Sequence, residues 1–228
     1  MKLVLTCEHG GNDIPAAYKS YFKNNEALNT HRGFDLGALD VFQHLEPLAD
    51  TSLFSTTSRL LIELNRSLFS KQLFSEFTQD LSKAQKTKIL KQNYIPYRVA
   101  VEHQIAKLID TNNKVLHLSI HSFTPELNGE IRNCDIGLLY DSRKKAEQEF
   151  CKQLKTEINK HNLDLNVRFN YPYLGKSDGF TTFLRKQFPI DYLGIEIEIN
   201  QKFSTNNVME RTIRDTLYKT INLLTAKF

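Results

Sequence analysis

Cysteine is scarce in this sequence, and the spacing of the few that occur excludes a disulfide framework. The 228 residues contain only Cys7, Cys134 and Cys151, and no Cys-x-x-Cys pair is present. Three widely spaced cysteines do not form the even, dense pattern of a stapled secreted domain. We therefore expect free thiols and a reducing compartment, the cytoplasm.

The chain also has no long hydrophobic run. Its first residues lead directly into the short apolar run Leu3–Thr6, and no apolar segment of signal-peptide length precedes it. No stretch approaches the roughly 18–20 apolar residues that a membrane-spanning helix needs. We therefore expect no membrane partner.

Neither sign of charge dominates. The sequence has 30 basic and 26 acidic residues, for a net charge of +4, and the basic residues are scattered. A nucleic-acid-binding surface concentrates them on one face, so we expect no nucleic-acid partner. Hydrophobic residues make up 40% of the chain, which is long enough to bury one sizeable core. We predict a single domain spanning residues 1–228.

Short apolar runs of β type alternate with stretches of helical spacing. The predicted strands are Leu3–Thr6, Leu53–Thr57, Leu60–Leu64, Val115–Ile120, Ile136–Tyr140, Leu165–Phe169 and Leu193–Ile199, and the predicted helices are Gly33–Leu48, Tyr97–Ile109, Arg143–His161 and Asn207–Lys227. This alternation is typical of a three-layer α/β fold, in which a mixed, largely parallel sheet carries helices on both faces. The polar, glycine-free segment Ser67–Asn93 predicts a helical insertion at about residues 67–93.

Two histidines follow two of the predicted strands. His9 comes shortly after Leu3–Thr6, and His121 directly follows Val115–Ile120. Ligand sites of open α/β sheets lie beyond the carboxyl ends of the strands, so these imidazoles are expected to meet at one edge. Imidazole is a common zinc ligand, and a catalytic zinc takes three protein ligands and keeps a position for water. A single histidine at a strand end is more often a hydrogen-bonded loop residue, but the pair favours a zinc site.

Two carboxylates compete for the place of third ligand. Asp35 stands at the start of a predicted helix, where a structural role in the first turn is an equally good interpretation. Glu8 is the rival, but adjacent residues of an extended segment point to opposite sides, which separates it from His9. We prefer Asp35 as the ligand and keep Glu8 as the alternative.

Two further carboxylates lie in the last predicted strand. Glu196 and Glu198 alternate with Ile195, Ile197 and Ile199 and therefore share one face. Buried carboxylates are costly unless they are paired or functional. We predict that one of them is the general base that activates water, while a half-exposed strand with a solvated face is the alternative.

Arginines at strand ends are candidates for substrate binding. Arg59 precedes the predicted strand Leu60–Leu64 and Asn65-Arg66 follows it, while Arg132 lies in a later polar segment. A guanidinium can hold a carboxylate through two parallel hydrogen bonds, although a surface salt bridge is the common role of a single arginine.

An ordered series of short motifs resembles the N-formylglutamate amidohydrolase family. The series comprises Cys7-Glu8-His9-Gly10-Gly11 with Ile14-Pro15, Asp35 with Gly37-Ala38, Leu64-Asn65-Arg66, Ser119-Ile120-His121-Ser122-Phe123, Arg132-Asn133-Cys134-Asp135-Ile136-Gly137, Asn170-Tyr171-Pro172-Tyr173 and Ile197-Glu198-Ile199-Asn200. It runs in order over nearly the whole chain. Many members have Pro-His-Ser-Gly at the first motif and Gln in place of Glu196, so the chain resembles a divergent subgroup.

The resemblance implies a phosphorylase/hydrolase-like fold, similar to that of the zinc carboxypeptidases, and one zinc ion per chain. By position, His9, Asp35 and His121 match the metal-binding residues and Glu198 matches the general base. Asn65, Arg66 and Arg132 are expected to bind an anionic small-molecule substrate. The implied reaction cleaves N-formyl-L-glutamate, or a related N-acyl amino acid, to formate and glutamate in histidine catabolism. A peptidase-like hydrolase acting on a larger amide and a non-catalytic binding module are the alternatives.

Overall fold

A six-stranded sheet forms the centre of the protein. The computed structural model describes residues 1–23 and 26–226. Its strands are β1 (Lys2–Cys7), β2 (Thr51–Phe54), β3 (Val115–Phe123), β4 (Glu126–Leu127), β5 (Glu130–Ile131), β6 (Ile136–Leu139), β7 (Val167–Phe169), β8 (Tyr192–Asn200), β9 (Ser204–Thr205) and β10 (Val208–Met209). The main sheet has the order β2-β1-β3-β8-β6-β7, and its neighbours are parallel except for β6 and β8. The short pairs β4-β5 and β9-β10 are antiparallel.

Helices cover both faces of this sheet. They are α1 (Ala38–Leu45), α2 (Lys83–Ile89), α3 (Ile95–Asp110), α4 (Lys145–His161), α5 (Phe180–Gln187) and α6 (Arg211–Thr225). Helices α1, α4 and α6 share one apolar core with the sheet, and α3 and α5 pack on the opposite face. The predicted three-layer architecture with a mixed, largely parallel sheet is confirmed. Within residues 1–23 and 26–226, no helix is both long and apolar enough to cross a membrane.

The central strands β3 and β8 have one apolar and one polar face. Leu116, Leu118 and Ile120 of β3 belong to the core beneath α1, α4 and α6. Because side chains alternate along a strand, His117, Ser119 and His121 project from the opposite face. Ser119 pairs with Glu196 and His121 with Glu198 in the register of β3 and β8. The alternation therefore gathers histidine and carboxylate side chains on one face, near the carboxyl ends of both strands.

One predicted strand is wrong. Residues Leu60–Leu64 form turns rather than a strand, and all five are buried. The four apolar residues of this run pack in a separate apolar cluster with side chains such as Tyr18 and Ile89. A short apolar run signals burial but does not by itself distinguish a strand from a buried loop.

Other element boundaries also differ from the prediction. Of the proposed helical insertion, residues 67–81 form turns, and α2 begins only after Ser82, whose hydroxyl and Gln85 form a capping box. A π-helical turn, Leu90–Tyr94, then joins α2 to α3. The sequence analysis missed the eight-residue helix α5. The predicted end of the last helix, Lys227, lies outside the described residues.

A buried ion pair ties α4 to the sheet and gives a stability prediction. Glu147 Oε1 accepts hydrogen bonds from Arg185 Nε (2.9 Å) and from the backbone N–H of Gly194 (3.1 Å). Breaking a buried pair leaves an uncompensated charge, so Glu147→Ala is expected to lower the free energy of unfolding by about 3–5 kcal/mol. Urea denaturation measures the loss.

Glu149 is the matched control for this prediction, because it lies in the same helix and forms a loose, exposed pair with Lys145 (3.8 Å). Glu149→Ala is expected to change the free energy of unfolding by less than about 1 kcal/mol. Equal losses in the two variants would mean that the buried pair contributes nothing beyond the effect of the substitution itself.

Candidate active site

The turn after β1 fixes the position of His9. The N–H of Gly10 donates to Ser55 O (2.9 Å), and the N–H of Asp35 donates to His9 O (3.0 Å). A Cβ atom on Gly10 would lie 2.9 Å from Ser55 O, and one on Gly11 would lie 2.8 Å from Thr56. Glycine is required at both positions because the neighbouring backbone approaches so closely.

Three buried side chains converge near the carboxyl ends of β1 and β3, where His9 follows β1 and His121 lies within the last residues of β3. His9, Asp35 and His121 each offer one ligand atom, and these atoms all lie within 4.8 Å of one another. Asp35 Oδ2 is 3.2 Å from His9 Nδ1 and 2.9 Å from His121 Nδ1. Only 2–3% of each residue is exposed. The edge of the sheet therefore brings together two imidazoles and the carboxylate that the sequence analysis preferred as their partner.

Each imidazole contacts a second buried carboxylate through its other nitrogen. His121 Nε2 lies 3.1 Å from Glu8 Oε2, and His9 Nε2 forms a very short hydrogen bond with Glu63 Oε1. Glu8 thus contacts the Nε2 atom of His121 and does not belong to the cluster of possible metal ligands, which are His9, Asp35 and His121. The sequence analysis gave Glu63 no role. An acidic residue within the buried apolar run Leu60–Leu64 was the signal, because a carboxylate is costly to bury without a partner.

Arg59 neutralises two of these carboxylates. Its Nε donates to Glu63 Oε2 (2.8 Å), and its Nη1 donates to Asp35 Oδ1 (3.0 Å). Burial alone would raise the pKa of Asp35, but the two histidines and Arg59 hold it well below its usual range. Burial would likewise lower the pKa of His121, yet its hydrogen bonds to Asp35 and Glu8 raise it well above the ordinary value. Asp35 is therefore an ionised carboxylate.

Glu198 is the carboxylate of the site that lacks a partner. Among the described residues, no donor reaches its buried Oε2 atom. Burial, reinforced by the nearby charges of Asp35 and Glu196, raises the pKa of Glu198 to about 7 despite the opposing influence of His121. In contrast, Glu196 Oε1 accepts a hydrogen bond from Thr181 Oγ1 (2.6 Å). Glu198 can therefore exchange a proton near neutral pH.

These side chains open onto one cavity of about 250 Å³. Its lining consists of His9, Asp35, Arg59, Asn65, Arg66, His121, Ser122, Tyr173, Leu174, Ser177, Asp178, Glu196 and Glu198. The two imidazoles, Asp35 and both strand carboxylates therefore face the same cavity.

The family model for N-formylglutamate amidohydrolase matches residues 1–204. The chain belongs to the N-formylglutamate amidohydrolase family. Among solved structures, a gene product of Agrobacterium tumefaciens is 25% identical, with a TM-score of 0.82 over 100% of this chain and 92% of that one. An N-formylglutamate amidohydrolase from Ralstonia eutropha JMP134 is 17% identical, with a TM-score of 0.75 over 99% of this chain and 92% of that one, and shares its fold. A search of curated proteins found no match.

Membership of the N-formylglutamate amidohydrolase family supports a hydrolase that acts on amide bonds. The cavity is lined by a carboxylate of raised pKa, Glu198, and by several polar side chains, which are groups that can move a proton and orient a substrate. Its small volume limits the part of a substrate that it encloses.

The three residues predicted to bind substrate occupy different places in this family member. Asn65 and Arg66 line the cavity, and the amide Oδ1 of Asn65 accepts a hydrogen bond from the N–H of Phe180 at the start of α5 (2.6 Å). Arg66 Nη1 donates to the backbone oxygen of Asp178 (2.7 Å), which holds the half-buried guanidinium at the rim. Arg132 is not among the lining residues; its guanidinium donates to the Tyr173 hydroxyl (3.2 Å) and stacks on that ring.

Arg59 was also a candidate anion-binding residue. Its ion pairs with Asp35 and Glu63 occupy the guanidinium, so Arg66 is the lining arginine that has no carboxylate partner among the described residues.

Proposed function

We propose that this protein is a zinc-dependent amidohydrolase that cleaves the amide bond of N-formyl-L-glutamate or of a related small N-acyl amino acid. The observation that carries the proposal is the cluster of His9, Asp35 and His121 beside the unpartnered carboxylate of Glu198. A metal-ligand set next to a free base is an arrangement that can hydrolyse an unactivated amide.

The residues present suit one zinc ion per chain. Two imidazole nitrogens and a carboxylate oxygen form a ligand set used by catalytic zinc. Each imidazole also contacts a carboxylate through its distal nitrogen, as metal-bound histidines generally do. The unpartnered Oε2 of Glu198 suits a site that holds a further polar group. When bound, zinc would polarise the scissile carbonyl and make water a nucleophile near neutral pH.

Glu198 is the general base in this proposal. Its carboxylate accepts a proton from the attacking water and later gives it to the nitrogen of the leaving amino acid. The burial of this carboxylate and its raised pKa suit a group that takes up a proton and then releases it. Glu196 has a structural role in this proposal, because its carboxylate is hydrogen-bonded to Thr181.

Arg66 and Asn65 bind the substrate directly. Arg132 contributes indirectly, because it holds the Tyr173 side chain that lines the cavity. The guanidinium of Arg66 faces the cavity without a carboxylate partner, which suits the carboxylate of an N-acyl amino acid. The volume of about 250 Å³ favours a small substrate over an extended peptide. Release of formate and glutamate would be a step of histidine catabolism, and the three free, buried thiols suit the cytoplasm.

The zinc-loaded protein is expected to release formate from N-formylglutamate and to turn over the α- and γ-amide analogues of this substrate less efficiently. A hydrogen bond to a charged group is worth about 1.5–3 kcal/mol, so an analogue that loses the contact with Arg66 should have kcat/KM lower by roughly 10- to 100-fold. Arg66→Ala should abolish most of this preference by lowering the kcat/KM of the acid. A coupled formate assay measures both quantities.

Arg168→Ala is the control for Arg66→Ala. Arg168 stacks on Tyr171 (3.9 Å from the guanidinium carbon to the ring centre) and is not among the residues that line the cavity. Its removal should leave the preference for the acid unchanged. Equal kcat/KM for acid and amides on the wild-type enzyme would contradict the carboxylate contact and favour a peptidase-like substrate. Turnover of another N-acyl acid without turnover of N-formylglutamate would change only the substrate.

A further inference from the structure

The two imidazoles of the site are held in the same way. Nδ1 of each ring points toward Asp35 Oδ2, and Nε2 of each ring points toward a different buried carboxylate. The partner of His121 is Glu8 and that of His9 is Glu63. These carboxylates come from different parts of the chain, Glu8 from the turn after β1 and Glu63 from the buried loop that precedes Asn65.

We propose that Glu8 and Glu63 are a pair of positioning residues, each of which fixes one imidazole with Nε2 protonated and Nδ1 free for the metal. This inference rests on the proposed metal site. Asp35 Oδ2 faces both Nδ1 atoms, so the metal decides the tautomer: with the metal on Nδ1, each imidazole keeps its proton on Nε2, where Glu8 or Glu63 can accept a hydrogen bond from it. In a neutral imidazole the other nitrogen then has the lone pair that a metal ligand needs.

The carboxylate of Glu8 is held in place by burial and by two hydrogen-bond donors. Glu8 is completely buried, and its carboxylate accepts hydrogen bonds from Ser119 Oγ (2.5 Å) and Tyr97 Oη (3.0 Å). These two donors fix the carboxylate opposite His121 Nε2 (3.1 Å). Although Glu8 adjoins His9 in sequence, it serves the other imidazole because consecutive residues at the end of a strand point in opposite directions.

Glu63 is held by an ion pair with Arg59, whereas Glu8 is held by neutral hydroxyl donors. Arg59 contacts Glu63 Oε2 through Nε (2.8 Å) and Nη2 (2.6 Å), which leaves Oε1 for His9 Nε2 and for the N–H of Asn65 (3.1 Å). The same guanidinium reaches Asp35 Oδ1. Arg59 therefore holds both Asp35, a proposed metal ligand, and Glu63, the carboxylate that contacts His9. Its planar guanidinium has enough donors to bind the two carboxylates at once.

The test compares zinc affinity and histidine tautomers in the wild type and in Glu8→Gln and Glu63→Gln. The amide keeps the size of the side chain but removes the obligate acceptor. Competition titration with a chelating dye should give a zinc Kd about 10- to 100-fold higher in each variant. Long-range ¹H–¹⁵N spectra of the zinc-loaded wild type should show zinc on Nδ1 and a proton on Nε2 of both rings. Glu8→Gln should shift the Nε2–H signal of His121, and Glu63→Gln that of His9.

Asp141→Asn is the matched control. Asp141 is also a buried carboxylate, but its partners are the guanidinium (2.7 Å) and the backbone N–H of Arg143 (3.0 Å) rather than either imidazole. It should leave zinc Kd and both histidine signals unchanged. If Glu8→Gln does not fold, Tyr97→Phe provides the same test, because it removes one donor to Glu8 and should raise the zinc Kd by a smaller factor.

Three outcomes would each have a separate meaning. Wild-type zinc affinity in both glutamine variants, or zinc on Nε2 in the wild type, would overturn the positioning roles. Wild-type protein that binds zinc as expected but hydrolyses no N-acyl amino acid would overturn the proposed function and leave the positioning roles standing. Failure of the wild type to bind zinc would overturn both.

Discussion

Glu198→Gln is expected to retain zinc and to lose hydrolysis by about 10²–10⁴-fold, the usual cost of removing a general base. The amide has nearly the same size as the carboxylate but cannot accept the proton of the attacking water. Its Oε2 position has no hydrogen-bond partner among the described residues, so the substitution breaks no contact of that atom. Measuring kcat with N-formylglutamate and zinc content by mass spectrometry separates loss of the base from loss of the metal.

Glu196→Gln is the control, because it makes the same chemical change two residues earlier in β8. An amide oxygen at this position can still accept the hydrogen bond from Thr181, so activity should fall by less than about tenfold. If Glu196→Gln is inactive and Glu198→Gln is normal, the two carboxylates have the opposite roles. Loss of zinc from Glu198→Gln would instead make this carboxylate a ligand.

The convergence of the site was predictable because it follows from sheet geometry. His9 follows β1 and His121 lies near the carboxyl end of β3, and parallel strands end at the same edge, so their proximity requires no knowledge of the loops. The alternation of Glu196 and Glu198 with isoleucines likewise placed both carboxylates on one face. Their roles in binding metal and moving protons stay predictions.

The features that the sequence analysis missed depend on contacts between distant segments. Glu63 meets His9 only because Leu60–Leu64 is a buried loop, whereas its apolar composition suggested a strand. Arg59 was considered as an anion-binding residue, and its pairing with Asp35 and Glu63 is set by how that loop folds against the site. Helix α5 escaped notice because eight residues give too short a periodic pattern to distinguish from a turn.

Turns near the cavity are a further example of contacts that the sequence does not predict. Asp178 and Tyr173 line the cavity from a stretch of turns between β7 and α5. The Asp178 carboxylate accepts hydrogen bonds from the N–H and hydroxyl of Ser67, which joins this stretch to the segment after Arg66. Such contacts between loops have no periodic signature in the sequence, because only the tertiary fold brings the two segments together.

The purified protein is expected to contain about one zinc ion per chain, and His121→Ala to lose most of it together with activity. The substitution removes the imidazole that contacts both Asp35 and Glu8, so it deletes a ligand and takes one partner from each of two buried carboxylates. Chelation of the wild type should abolish hydrolysis, and added zinc should restore it. The same zinc should not restore His121→Ala.

His117→Ala separates this effect from general damage to β3. His117 lies on the same face of the same strand, but its ring nitrogens contact Thr6 Oγ1 and Tyr192 Oη, each at 2.7 Å. Burial lowers the pKa of His117 to about 4, so it is a neutral structural residue at physiological pH. His117→Ala should lower the thermal midpoint of unfolding and keep the zinc. Full zinc occupancy and activity in His121→Ala would instead place the metal elsewhere and remove the basis for Asp35 and His9 as its ligands.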